Sequence, residues 1–213
     1  MAKLARPPSA AALEGLTPEV KTLAKGAVLV RVYFTGGADP TRWNEFRRYG
    51  PTNARFDHHL PDKLGLACVQ DRSAFYCARN AITCLAEVFQ QTRRIDRVRD
   101  APWLAVLELQ RGLKLLDLSG AFPTRVGASM AINTGSRVRA REWARCFYDA
   151  FDGLHGIFYP SSMHANQDSI ALNDRALQVQ ALAEFPRFNR ALADDALLDV
   201  LKHAATTLGY GLR

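Results

Sequence analysis

The run AVLVRVYF at residues 27–34 constrains the fold of this chain more than any other stretch. It is dense in β-branched and aromatic residues and is closed by Thr35-Gly36-Gly37, so it reads as an interior strand followed by a turn. Its anomaly is Arg31. A guanidinium in a strand of this kind must find an anion or several acceptors, because an unpaired buried charge is costly. An internal ion pair with an aspartate or glutamate satisfies that need, and so does a ligand anion at the end of the strand.

The rest of the chain mixes short elements without regular alternation. Residues 35–73 are rich in Gly, Pro, Asp and Asn and read as mostly irregular, and so long a loop usually has a function. AFYCA (74–78) is a short strand, and NAITCLAEVFQQ (80–91) is a helix capped by Asn80, with Ala81, Leu85, Val88 and Phe89 as its buried stripe. WLAVLEL (103–109) and LKLLDLS (113–119) are strands joined by a turn at Gly112. RVGASMAI (125–132) is a short helix and RAREWARCFYDAF (139–151) a longer one. GIFYPSS (156–162) is a strand that Pro160 terminates, DSIALN (168–173) is another, and DDALLDVLKHAATTLGY (194–210) is an amphipathic closing helix. This irregular mixture argues for a single α+β domain rather than a doubly wound parallel sheet, and 213 residues fit one such domain.

The formal net charge is +7, and arginine supplies 22 of the 28 basic residues. Arginine favours bidentate recognition of phosphates and carboxylates, so an anionic partner is expected. The densest basic run, RRIDRVRD at 93–100, is interrupted by two aspartates and reads as a solvated face, with a nucleic-acid or partner patch as the alternative. Cys68, Cys77, Cys84 and Cys146 form no CxxC pair and read as free thiols in a reducing cytoplasm. No window approaches 18 apolar residues, so no membrane-spanning helix is expected. The start, MAKLARPPSAAALEGL, reads as a frayed tail leading into a short helix rather than a secretion signal.

Four places are odd for pure structure. Arg31 is the first. The second is Arg55 in NARFDHH, where an arginine fork and backbone donors could hold a diphosphate. The adjacent His58 and His59 lack a third ligand, so no metal is expected. The third is Tyr76 with Glu87, which a strand–turn–helix unit brings near one another; Glu87 lies off the buried stripe, beside the small Thr83 and Cys84. The fourth is YPSSMHAN at 159–166, where hydroxyls and an amide gather at a strand end. It lacks a G-x-S-x-G elbow, which makes a Ser161–His164 nucleophilic pair a weak reading. Walker and Rossmann glycine motifs are absent.

Taken in order, VRVYF, GPTNARFD, FYCARNAITCLAEVFQ, LLDLSG and DGLHGIFYPSS resemble the RES domain family, the toxin half of many bacterial toxin–antitoxin pairs. The resemblance implies an ADP-ribosyltransferase-like mixed β core with flanking helices. It divides the chain into a tail and short helix (1–26), the RES domain (27–177) and a C-terminal helical extension packed on the same domain (178–213). It implies that NAD is a substrate rather than a cofactor, cleaved between nicotinamide and ribose by water or inorganic phosphate. Transfer of ADP-ribose to a protein is the alternative, and a basic nucleic-acid- or partner-binding module without catalysis is the alternative of another class. By position, the family's arginines fall on Arg31 and Arg55, its tyrosine on Tyr76, its glutamate on Glu87 and its serine on Ser161, with Ser162 competing. Arg31, Tyr76 and Glu87 are then the catalytic candidates, and Arg31, Arg55, Tyr76, Ser161 and Ser162 the NAD-binding ones. Asn53 and Ala54 stand where many relatives place glycine before the second arginine. A separate helix-turn-helix antitoxin chain, a cytoplasmic location and a homodimer complete the expectation.

Overall fold

A computed structural model describes residues 4–213; residues 1–3, the first of the expected tail, lie outside the described residues. In chain order the elements are α1 (Ala10–Glu14), β1 (Val20–Leu23), β2 (Val28–Phe34), β3 (Arg47–Gly50), β4 (Cys68–Ala78), α2 (Ala81–Val88), β5 (Arg94–Ile95), β6 (Pro102–Glu108) and β7 (Leu113–Asp117). They continue with α3 (Phe122–Arg125), α4 (Ala131–Thr134), α5 (Arg137–Ala150), β8 (Gly156–Pro160), β9 (Asp168–Asn173), α6 (Asp174–Gln178), β10 (Phe188–Ala191), α7 (Leu198–Leu208) and β11 (Gly211–Leu212). The fold is the expected α+β type. Its main sheet runs β1-β7-β8-β9-β4-β2-β6-β10, with β3 added to β4, while β5 and β11 form a small parallel pair. Within the main sheet β7–β8 is parallel, and the other pairs are antiparallel.

Strand alternation sorts the core into two faces. On one face Leu29, Tyr33, Phe75, Ala105, Leu107 and Leu115 are buried in a single cluster. On the other, Leu116, Ile157 and Tyr159 pack under Trp143 and Phe147 of α5, and Val30, Val32, Ala78 and Leu104 pack under α2 and α7. Between those two helical layers the sheet is split. β2 and β4 share one paired position, Val30 with Ala78. Beyond it the strands part, and the Val32 N–H that a neighbouring strand would engage donates instead to Cys84 Sγ at 3.1 Å.

Several expectations are corrected. β4 starts at Cys68, inside the stretch expected to be loop; its first half pairs with β3 and buries none of its side chains, so it carries no core-facing alternation to read. The two strands expected on either side of Gly112 are present as β6 and β7, but they do not pair with each other, since β6 pairs with β2 and β10 and β7 with β1 and β8. The expected helix at 125–132 is two short helices, α3 and α4, separated where Gly127 and Ser129 take φ of +82° and +58°. The closing helix opens with a 3-10 turn at Asp195–Leu197 capped by Asp194 and continues as α7, stopped by Gly209 in the left-handed region, and the chain then returns as β11. The N-terminal segment adds β1 to the sheet edge, and the C-terminal segment contributes β10 as well as helix. Among the described residues no helix is long and apolar enough to cross a membrane.

Candidate functional site

The turn from β4 into α2 is short and rigid. Asn80 adopts extended backbone, and its Oδ1 accepts the Thr83 N–H at 2.8 Å and the Thr83 hydroxyl at 2.9 Å. Tyr76 on the strand and Glu87 on the helix are therefore parts of one unit. Leu85 and Phe89 anchor α2 in the cluster it shares with α7. Cys84, Glu87 and Val88, three and four residues apart, line a cleft of about 190 Å³ at the split between β2 and β4. Val88, expected in the buried stripe, sits on this cleft side.

Glu87 and Ser161, far apart in the chain, meet here. Ser161 is 0 % exposed, and its hydroxyl donates to Glu87 Oε1 at 2.6 Å. The same oxygen accepts the N–H groups of Met163 and His164, each at 3.1 Å. Both lone pairs are thus occupied and the proton has one direction left, toward the carboxylate. Ser162 is exposed, and of the doubled serine it is Ser161 that contacts Glu87. No Ser–His nucleophilic pair exists, because the His164 ring pairs through Nδ1 with Thr83 Oγ1 at 2.8 Å. On the other side of Glu87, the Gln90 amide donates to the Glu87 carbonyl at 2.5 Å and reaches Oε2 at 3.5 Å.

Two arginines line the cleft without a carboxylate partner among the described residues. Arg55 Nη1 donates to the carbonyls of Gly135 at 2.8 Å and Ile132 at 3.3 Å, leaving Nε and Nη2 without a protein acceptor. Arg137, the first residue of α5, donates to Gln90 Oε1 and to the Asn53 carbonyl. Burial and the neighbouring charge of Arg137 lower the Arg55 pKa, and Glu87 opposes them. Two like charges are thus held side by side at the cleft, an arrangement that a bound anion would offset.

Tyr76 and Tyr159 supply aromatic walls. Burial is the main cause that raises both phenols well above their ordinary pKa, with Asp57 adding to it at Tyr76 and Glu87 at Tyr159. Behind Tyr76, Asp57 organises the loop that carries Arg55. Its carboxylate accepts from the ring and backbone of His59, from Arg47 at 2.8 Å and from the Thr52 N–H and hydroxyl, both at 2.7 Å. Burial favours the protonated acid, but these donors prevail and hold the Asp57 pKa far below the carboxylate range. His58 is buried against Tyr148 and points Nε2 at Asp174 from 3.6 Å, so the two histidines diverge.

Arg31 is the main correction. It lies on the opposite sheet face from Val30 and Val32, 7 % exposed, and does not line the cleft. Nη1 donates to the carbonyls of Glu45 at 2.7 Å and Trp43 at 3.4 Å, and the guanidinium stacks 4.2 Å from the Phe75 ring. Burial lowers its pKa to about 10. Its anomaly in the strand is answered by backbone acceptors and a π face, with no ion pair among the described residues. The structure therefore brings Arg55, Tyr76, Glu87 and Ser161 together and leaves Arg31 and Ser162 out.

Sequence reasoning missed Arg137, Gln90 and Tyr159. Arg137 left one signal: with Arg139 it places positive charge in the first turn of α5, against the helix dipole, and no acidic residue is there. Gln90 and Tyr159 lay within segments already singled out, but nothing local aimed them at the cleft.

A solved structure with a similar fold is the MbcT–MbcA toxin–antitoxin complex of M. tuberculosis, at 17% identity and a TM-score of 0.54, covering 85% of this chain and 92% of that one. No curated protein matches the sequence. The model of the RES domain matches residues 28–193, most of the main sheet and every wall of the cleft, so the chain belongs to the RES domain family.

Proposed function

We propose that the cleft binds NAD and cleaves its nicotinamide–ribose bond, with water or inorganic phosphate as acceptor. The observation that carries this reading is the 2.6 Å bond from a fully buried Ser161 to Glu87, beside two arginines that have no carboxylate partner among the described residues. Nicotinamide in NAD is a flat cation, and the rings of Tyr76 and Tyr159 offer it stacking and cation–π contact. When the C–N bond breaks, its electron pair leaves with nicotinamide, which departs neutral, and the ribose carbon becomes oxocarbenium-like. Glu87, oriented by Ser161 and Gln90, stabilises that charge and accepts a hydrogen bond from a ribose hydroxyl or from the attacking water. The fork of Arg55 and the guanidinium of Arg137 hold the phosphate next to this ribose. Arg31 has a positioning role: it ties the Trp43–Glu45 turn beneath β2.

In the cell this activity makes the chain a toxin that drains cytoplasmic NAD, kept silent by a separate antitoxin chain. Support for the partner comes from the structural neighbour, which was solved in a toxin–antitoxin complex. The direct test is incubation of purified protein with NAD and measurement of released nicotinamide, in parallel with Glu87→Gln. Release by the wild type and none by the variant is expected, since the two side chains have nearly equal helix propensity. Equal release by both sinks the assignment of Glu87.

A further inference from the structure

The cleft is small for a dinucleotide. At about 190 Å³ it falls below the roughly 300–1,000 Å³ of sites that enclose drug-sized ligands, so it suits one ring and its sugar. Ala54, Val88, Gln90 and Arg137 are walls shared with a second, outer chamber of about 750 Å³. Four guanidinium groups line that chamber, those of Arg94, Arg99, Arg137 and Arg213, against the carboxylates of Asp96 and Asp100. The carboxylates are partly spent. Asp96 accepts the N–H groups of Val98 at 3.0 Å and Arg99 at 2.8 Å, and Asp100 lies 3.6 Å from Arg99. Arg94 and Arg213 form no ion pair among the described residues.

The segment that carries these groups is anchored by Ile95 and Leu212 in the cluster under α7 and turns its arginines outward. Arg93, Asp100 and Ala101 all take φ between +48° and +59°, an unfavourable region for residues other than glycine. Arg213 is brought in from the far end of the described chain. β11 pairs with β5, Gly211 against Arg94, and two further bonds of 3.0 Å, Arg97 N–H to the Arg213 carbonyl and Arg213 N–H to the Ile95 carbonyl, lock the last residue beside the chamber. This return lies beyond residue 193, where the family match stops.

We propose that the outer chamber is a phosphate-binding subsite for the adenosine diphosphate half of the substrate, completed by β11 and by Arg94, Arg99 and Arg213. The inference rests on the NAD reading of the inner cleft. The shared walls favour a small dinucleotide spanning both spaces over a nucleic acid lying across the surface.

Titration of the full chain with ADP alone tests the subsite without any turnover. ADP should bind, and Arg94→Gln with Arg213→Gln should weaken it about tenfold, more so at low salt. The ratio of kcat/KM for NAD to that for nicotinamide riboside, which lacks the ADP half, should fall by about the same factor, through KM. Both side chains are at the surface, and an unchanged Tm verifies the fold. Wild-type ADP affinity in the double variant overturns the proposal, as does arginine-dependent binding of a single-stranded oligonucleotide without binding of ADP. ADP binding that needs these arginines in a protein that releases no nicotinamide from NAD keeps the subsite and refutes the reaction assigned to the inner cleft.

Discussion

Replacing Ser161 with alanine removes one oxygen and three hydrogen bonds at a point with no access to water. One bond is donated to the Glu87 carboxylate at 2.6 Å, and two are accepted from the N–H groups of Met163 and His164. A hydrogen bond to a charged group contributes about 1.5–3 kcal/mol. Glu87 is half-buried, which places this one toward the lower end. Amides stranded by the substitution add to the cost, so a total loss of about 2–4 kcal/mol is expected, equivalent to a Tm lower by roughly 4–16 °C for a chain of this size. Activity should fall further than stability explains, because Glu87 loses the bond that aims it; a drop in kcat of about 10–100-fold is expected, as for other groups that orient catalytic charge. The discriminating measurement is a double-mutant cycle by urea denaturation on Ser161→Ala, Glu87→Ala and the pair. Direct contact predicts a coupling of about 1–3 kcal/mol, whereas additivity within about 0.5 kcal/mol means the two side chains do not interact in solution and refutes the site as drawn.

Other consequences follow from the same geometry. Arg31→Met should lower stability by about 1–3 kcal/mol, since the carbonyls of Trp43 and Glu45 lose a charged donor, while KM for NAD stays within about threefold of wild type; a large rise in KM with an unaltered Tm returns Arg31 to the substrate. Arg55→Lys keeps the charge but loses the fork, and should raise KM for NAD about tenfold with little change in Tm. Because the Asp57 pKa is depressed in the fold, the unfolded chain binds more protons near pH 4, so this contribution to stability is complete above that range and is lost as pH falls below it. Urea unfolding between pH 3 and 6 should therefore show a slope that Asp57→Asn flattens; parallel slopes contradict the role given to this carboxylate. Mass analysis of products with and without inorganic phosphate separates ADP-ribose from its 1″-phosphate and from a modified protein, and the last product alone overturns the choice of acceptor.

Much of the local structure was readable from residue pattern. β-branched and aromatic density marked β2, Asn80 marked the start of α2, and the order of motifs marked Tyr76, Glu87 and Ser161 as members of one site. Helix and strand periods are local, and a capping side chain acts three residues away. Tertiary structure decided what those patterns leave open. Alternation in β2 puts Arg31 and Val32 on opposite faces, but only the packing of α2 and the parting of β2 from β4 tells which face holds the cleft. Glu87 and Ser161 stand 74 positions apart, and Arg213 reaches the outer chamber only because β11 turns back onto β5. Convergence of that kind depends on how sheets and helices stack, a non-local balance of burial that no short window of sequence contains.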